Sequence, residues 1–164
     1  MAILIALLLT FSMTASMMLI PNASAHTPPW KIQLFAFINV APNPAGIGQT
    51  VTVGFWLNEP PMTAGTIYGD RFQGMTVKVT KPDGTTQTLG PFTSDDTGGT
   101  SAHYTPTALG NYSFQMFYPG QTLTGGQYGS VGVSNPIYLG DYIEPASSSV
   151  VTLTVQQSRY RLFQ

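Results

Sequence analysis

Few side chains in this sequence have types and spacings that could do chemistry. There is no cysteine and only two histidines, His26 and His103. Nucleophilic catalysis by a thiolate is therefore excluded, and His103 has no G-x-S-x-G elbow to complete a Ser-His-Asp arrangement. Removal of a leader after Ala25 would free the α-amino group of His26, and an amine and imidazole on one residue can chelate a metal. With His103 as the second imidazole, such a nitrogen set suits square-planar Cu(II). This copper-binding sandwich is the alternative reading. Against it, Thr27-Pro28-Pro29 reads as an extended linker. Asp95-Asp96 sits in a Ser-Asp-Asp-Thr-Gly-Gly run, where adjacent aspartates favour Asx turns; a Ca²⁺ site needs six or more oxygens, and the spacing fits no EF-hand. Asn111-Tyr112-Ser113 is an N-glycosylation sequon. The leading expectation is a chain with no cofactor, no metal and no catalytic residue.

Recognition chemistry is better represented. Residues 58–74 hold Tyr68, Asp70 and Arg71, and residues 119–149 hold Tyr128, Tyr138, Asp141, Tyr142 and Glu144. Tyrosine offers contact area at low entropic cost, so Tyr68, Asp70, Arg71, Tyr128, Tyr138, Asp141 and Tyr142 are the binding-loop candidates. The competing reading folds both segments down as a lid, with Arg71 paired to Asp141 or Glu144.

The elements that must carry these loops show a period of 2. Apolar and polar residues alternate over 32–40, 50–57, 75–80, 101–105, 112–118 and 150–156, with a short return strand over 86–89. Lys81-Pro82-Asp83-Gly84 is a hairpin turn, in which proline presets φ and glycine accepts the left-handed position. The run Leu109-Gly110-Asn111-Tyr112-Ser113-Phe114 reads as a tyrosine corner. It aims Tyr112, Phe114, Met116 and Tyr118 inward and Asn111 outward. About seven strands with these turns predict an all-β, immunoglobulin-like Greek-key sandwich. The positions that a disulfide would occupy fall near Val53 and Phe114, so packing alone must join the sheets. Trp56 and Phe117 point away from their strands' inner faces, toward a partner domain or a covering loop. The two long connections are expected to emerge at the same end.

Residues 2–20 are uncharged and mostly apolar, and Pro21 and Ala23-Ser24-Ala25 follow. Residues 1–25 therefore read as a secretory signal. Residues 26–157 would be the sandwich and 158–164 a tail. The expected location is secreted or cell-surface, with membrane contact only through an uncleaved signal segment. Charged residues make up 8% of the 164, net charge is −1, and none lies between Thr97 and Gly140. No basic stripe is available to neutralise phosphates, which argues against nucleic acid.

Three segments carry a family resemblance: Pro42-Asn43-Pro44-Ala45-Gly46-Ile47-Gly48-Gln49-Thr50-Val51-Thr52-Val53, Val79 to Thr85 together with Leu89 to Asp95, and Leu109 to Phe114. In this order the chain, over 29–157, resembles the N-terminal immunoglobulin-like domain of large secreted archaeal proteins that carry a pyrroloquinoline-quinone-type β-propeller. The resemblance implies a non-catalytic accessory domain that binds or acts as a spacer. Its implied partners are a cell-envelope protein or glycan, or a neighbouring β-propeller in a longer homologue. Such a family would continue into propeller blades after Gln157. Residues 158–164 are instead expected to be a truncated or frame-shifted end.

Overall fold

The structure, a computed structural model, describes residues 26–126 and 135–157. The signal reading of residues 1–25, the tail reading of 158–164 and the candidate Tyr128 lie outside the described residues. Among the described residues twelve strands follow in order: β1 (Lys31–Ile32), β2 (Ala36–Ala41), β3 (Ala45–Gly46), β4 (Val51–Leu57), β5 (Met75–Thr80), β6 (Thr86–Phe92), β7 (Gly99–Tyr104), β8 (Gly110–Tyr118), β9 (Gln121–Thr122), β10 (Tyr142–Ile143), β11 (Ala146–Ser147) and β12 (Val151–Gln156).

Two sheets form the sandwich. One has the order β3-β12-β8-β5-β6, with β11 also on β8; the other is β2-β4-β7. The β3–β12 pair is parallel and the other sandwich pairs are antiparallel. In immunoglobulin lettering this is A-B-E facing A′-G-F-C-C′, so the chain is an immunoglobulin-like Greek-key sandwich. Alternation is the cause. Val51, Val53, Phe55 and Leu57 of β4 face inward, as do Met75, Val77 and Val79 of β5 and Tyr112, Phe114, Met116 and Tyr118 of β8. Aromatic edges join the sheets. The Tyr104 ring of β7 stands 5.7 Å from Tyr112 and 5.4 Å from Phe114, and Phe55 lies 5.4 Å from Phe92. Val53 and Phe114 are both fully buried, and packing fills the place of a disulfide.

The strand over 32–40 is divided in the structure. Backbone from Gln33 to Phe35 leaves the ladder, β1 pairs with β10, and β2 pairs with β4. The break is held by the Asn58 side-chain carbonyl, which accepts the Phe35 N–H at 2.7 Å. The return strand is longer than 86–89. It passes through Gly90-Pro91 because β6 is an edge strand and accommodates an extra residue there: Met75 faces Phe92 while Val77 faces Leu89. The segment 119–149 is not a simple loop. It contributes β9, β10, β11 and one 3₁₀ turn (Pro136–Tyr138), and builds a third small sheet of order β1-β10-β9.

At the corner, the Tyr112 hydroxyl accepts the Ala108 N–H at 3.0 Å and donates to the Ala108 carbonyl at 3.3 Å. At the other end of β8, the Tyr118 hydroxyl is buried without a partner among the described residues. Burial pushes its phenol pKa well up, and Tyr142 and Asp70 add to the shift. The two tyrosines should therefore respond oppositely to loss of the hydroxyl. Tyr112→Phe is expected to cost about 1 kcal/mol in urea unfolding, the net worth of a typical hydrogen bond. Tyr118→Phe should be neutral or stabilising, and a loss of more than about 1 kcal/mol there would contradict the buried-orphan assignment.

Candidate functional site

The two long connections meet at one end of the sandwich. There Asp70, read from sequence as a contact residue, is fully buried. Its carboxylate accepts from the Thr63 hydroxyl (2.5 Å), the Thr124 N–H and hydroxyl (3.0 and 3.1 Å) and the Gly125 N–H (2.7 Å). It thereby clamps the 58–74 segment to the start of the 119–149 segment. Arg71 is also buried, and the structure corrects its expected pairing with Asp141 or Glu144. The guanidinium donates to the carbonyls of Gly65, Thr66, Tyr68 and Asp70 at 2.8–3.2 Å and ties its own loop into a compact turn.

Asp141 is a second buried clamp. Its carboxylate accepts the Trp30 N–H at 2.8 Å and lies 2.6 Å from His26 Nδ1. The His26 ring stacks on Trp30 at 3.5 Å and meets the edge of Tyr138 at 5.5 Å. Tyr68 covers Gly65, and Tyr142 sits in β10 with its hydroxyl over Gly120; both are half-buried. Of the candidates, then, Asp70, Arg71 and Asp141 hold the loop end together rather than face a ligand. Glu144 donates its backbone N–H to the Ile32 carbonyl.

The structure gives the copper arrangement no support. His26 is anchored near β1, which runs toward the Leu57 end of β4, whereas His103 pairs with Thr52. Five residues of strand, at about 3.3 Å each, span roughly 16 Å. Among the described residues no group of three or more His, Cys, Asp or Glu lies close enough to hold a metal ion. Asn111 is exposed on β8, and its side-chain oxygen accepts from the Thr154 hydroxyl at 3.2 Å.

The arrangement that the sequence left unread is on the outer face of the β2-β4-β7 sheet. Register places Phe37, Trp56 and Gly99 in one row and Asn39, Gly54 and Ser101 in the next. Phe37 and Trp56 are 45% and 40% exposed and stack with centroids 5.8 Å apart and planes 15° apart. Phe35, more exposed still, precedes them on the chain. Beside Trp56 opens a shallow cleft of ≈ 630 Å³, within the range of about 300–1,000 Å³ common for ligand clefts. Gly54 lies at the cleft, and a Cβ built there meets nothing within 4 Å. Thr93, Asp95 and Ser101 supply polar groups around it.

Asp95 is positioned by the turn it organises. One carboxylate oxygen, Oδ1, accepts from the Thr97 N–H (2.9 Å), the Thr97 hydroxyl (2.7 Å) and the Gly99 N–H (3.1 Å). Gly98 is required in this turn: its φ is +89°, and a Cβ would approach the Glu59 carbonyl oxygen to 2.9 Å. Burial alone would raise the Asp95 pKa, but the hydrogen bonds from Thr97 and Gly99 together outweigh it and hold the carboxyl below its usual range. The one sequence signal for the cleft is the outward Trp56 two residues from Gly54. Its pairing with Phe37 requires the strand register.

No family model matches the chain, and no curated protein matches it. Among solved structures it is similar to the PKD domain of an M14-like peptidase from Thermoplasmatales archaeon SCGC AB-540-F20. Identity is 14% over 74% of this chain and 94% of that one, with a TM-score of 0.36. The sandwich assignment rests on the strand order and register described above.

Asp70→Ala should destabilise the domain by about 3 kcal/mol, because it strands the buried Gly125 N–H and the buried Thr63 hydroxyl; a change below about 1 kcal/mol would contradict the clamp. For Asp95, a depressed pKa stabilises the fold above the unfolded value, near 3.8, and that support disappears as pH falls through the lower folded value. The stability difference between the native chain and Asp95→Asn is therefore expected at neutral pH and should vanish in strong acid. A difference that persists in acid would contradict the turn's charge dependence.

Proposed function

We propose that this chain is a non-catalytic, extracellular accessory domain that binds the cell envelope through the outer face of its β2-β4-β7 sheet. The observation that carries the reading is the exposed, stacked pair Phe37–Trp56 beside the cleft. Single exposed apolar residues are ordinary on a soluble domain, whereas contiguous aromatic surface beside a concavity is the mark of a contact site. Trp56 lies on the central strand of its sheet, between Phe37 of β2, on which it stacks, and Gly99 of β7, which leaves the β7 side of the ring open. The resemblance to immunoglobulin-like domains of secreted proteins supports an accessory role and an extracellular location. A neighbouring β-propeller in a longer homologue would be what such a domain tethers.

The loop end is the less favoured contact surface, because its carboxylates and guanidinium are engaged internally. Sedimentation of labelled protein with an envelope fraction from the producing cell separates the two surfaces. Trp56→Ala is expected to lower the affinity about tenfold or more, a loss of about 1.4 kcal/mol. Tyr138→Ala, at the loop end, should leave binding unchanged. Retention of full affinity in Trp56→Ala, or its loss in Tyr138→Ala, would overturn the assignment.

A further inference from the structure

We infer that the cleft beside Trp56 takes a neutral saccharide chain. This rests on the binding role proposed for the same face and names its ligand class. A pyranose ring is amphipathic: its C–H face is apolar and slightly positive, and its rim is a belt of hydroxyls that donate and accept. The cleft presents the complement of both. The indole of Trp56 offers a negative π-face of the right kind for C–H groups, and its stacking on Phe37 fixes that ring before any ligand arrives. Prior fixation removes part of the ordering cost of association.

The polar complement lies on the other side of the cleft. Ser101 is exposed, in the same outward row as Gly54, and Thr93 and Asp95 come from the segment between β6 and β7. The hydrogen bonds that the Asp95 carboxylate accepts from Thr97 and Gly99 go to Oδ1, which leaves Oδ2 clear of those three donors and available to a ligand hydroxyl. One carboxylate oxygen and two hydroxyls are the small, fixed polar set that orients a ligand in an otherwise permissive cleft.

Charge selects among saccharides. The cleft is lined by one acidic residue and no Lys or Arg. An acidic sugar would meet the ionised Asp95 carboxylate with no lining cation to offset it, so the site disfavours acidic sugars. Size argues against a folded protein as the occupant. Stable protein interfaces bury about 800 Å² on each partner, well beyond one indole and a glycine-floored trough. Openness suits a chain that passes across the sheet and is gripped at one or two rings.

Affinity electrophoresis through gels containing dextran, glucomannan, β-1,3-glucan or the neutral polysaccharide fraction of the producing cell's envelope tests this, with alginate as the anionic control. At least one neutral polymer should retard the protein, and alginate should not. Trp56→Ala should weaken that retardation at least tenfold, and Trp56→Phe should restore part of it. Gly54→Val fills the trough at a position with open space and a strand backbone that favours β-branched residues. It should abolish retardation without lowering the melting temperature. No retardation by any neutral polymer, unchanged retardation of Gly54→Val, or equal retardation by alginate would overturn the inference. Proteinase K digestion of the envelope fraction separates this claim from the one beneath it. If Trp56-dependent envelope binding is lost on digestion, the face binds protein and only the saccharide assignment falls; if envelope binding never depended on Trp56, both fall.

Discussion

The alternation of side chains along β4 is the constraint on which the rest of the structure depends. Val51, Val53, Phe55 and Leu57 must all reach the interior, because the chain has no cysteine to staple its sheets and little charge to order its surface. Each such side chain contributes about 1.5–3 kcal/mol when buried. A slip of one residue would expose all four and bury Thr52 and Trp56 in their place. Opposite them, Tyr112, Phe114, Met116 and Tyr118 obey the same rule on β8. The contact between these sets, completed by Tyr104 standing edge-on to Tyr112 and Phe114, is what makes two sheets one domain. The outward position of Trp56 is thus imposed by the inward positions of its neighbours. What the fold adds is Phe37 beside it and Gly54 next to it.

The chain's few charges are concentrated where backbone is irregular. Sheets satisfy their own N–H and C=O groups, but the segments 58–74 and 119–149 cannot do so throughout. Asp70 and Asp141 supply acceptors for N–H groups of Thr124, Gly125 and Trp30, and Arg71 supplies donors for four loop carbonyls. Buried ionic groups engaged in this way specify how the loops close. This explains why tyrosine-bearing loops at the end of a sandwich need not be its contact surface.

Much of the sandwich was legible because period 2 is a local property. The inner faces of β4, β5 and β8, the corner at Tyr112 and the turn at Lys81–Gly84 all follow from neighbouring residues. What was not legible depends on pairing between distant segments. The division of the first strand at Gln33–Phe35 follows from Asn58 and from β10, more than 100 residues from β1 in the chain. The continuation of β6 through Pro91 follows from its place at a sheet edge, which no local pattern reveals. At the site, residue type alone does not separate a contact residue from a strut. Asp70, Arg71 and Asp141 have the chemistry of recognition and the positions of struts. Trp56 was visible as an outward aromatic, but its cleft is assembled from β4, β7 and the segment after β6.

The central claim is that ligand meets this protein on the outer face of the β2-β4-β7 sheet. Chemical-shift mapping with isotopically labelled protein and the neutral polysaccharide fragments of the producing cell's envelope tests it most directly. The largest shifts are expected at the amides of Gly54, Gly99 and Ser101 and at the Trp56 indole N–H. Shifts gathered instead at Tyr68, Tyr138 and Tyr142, with the Trp56 indole unmoved, would contradict it.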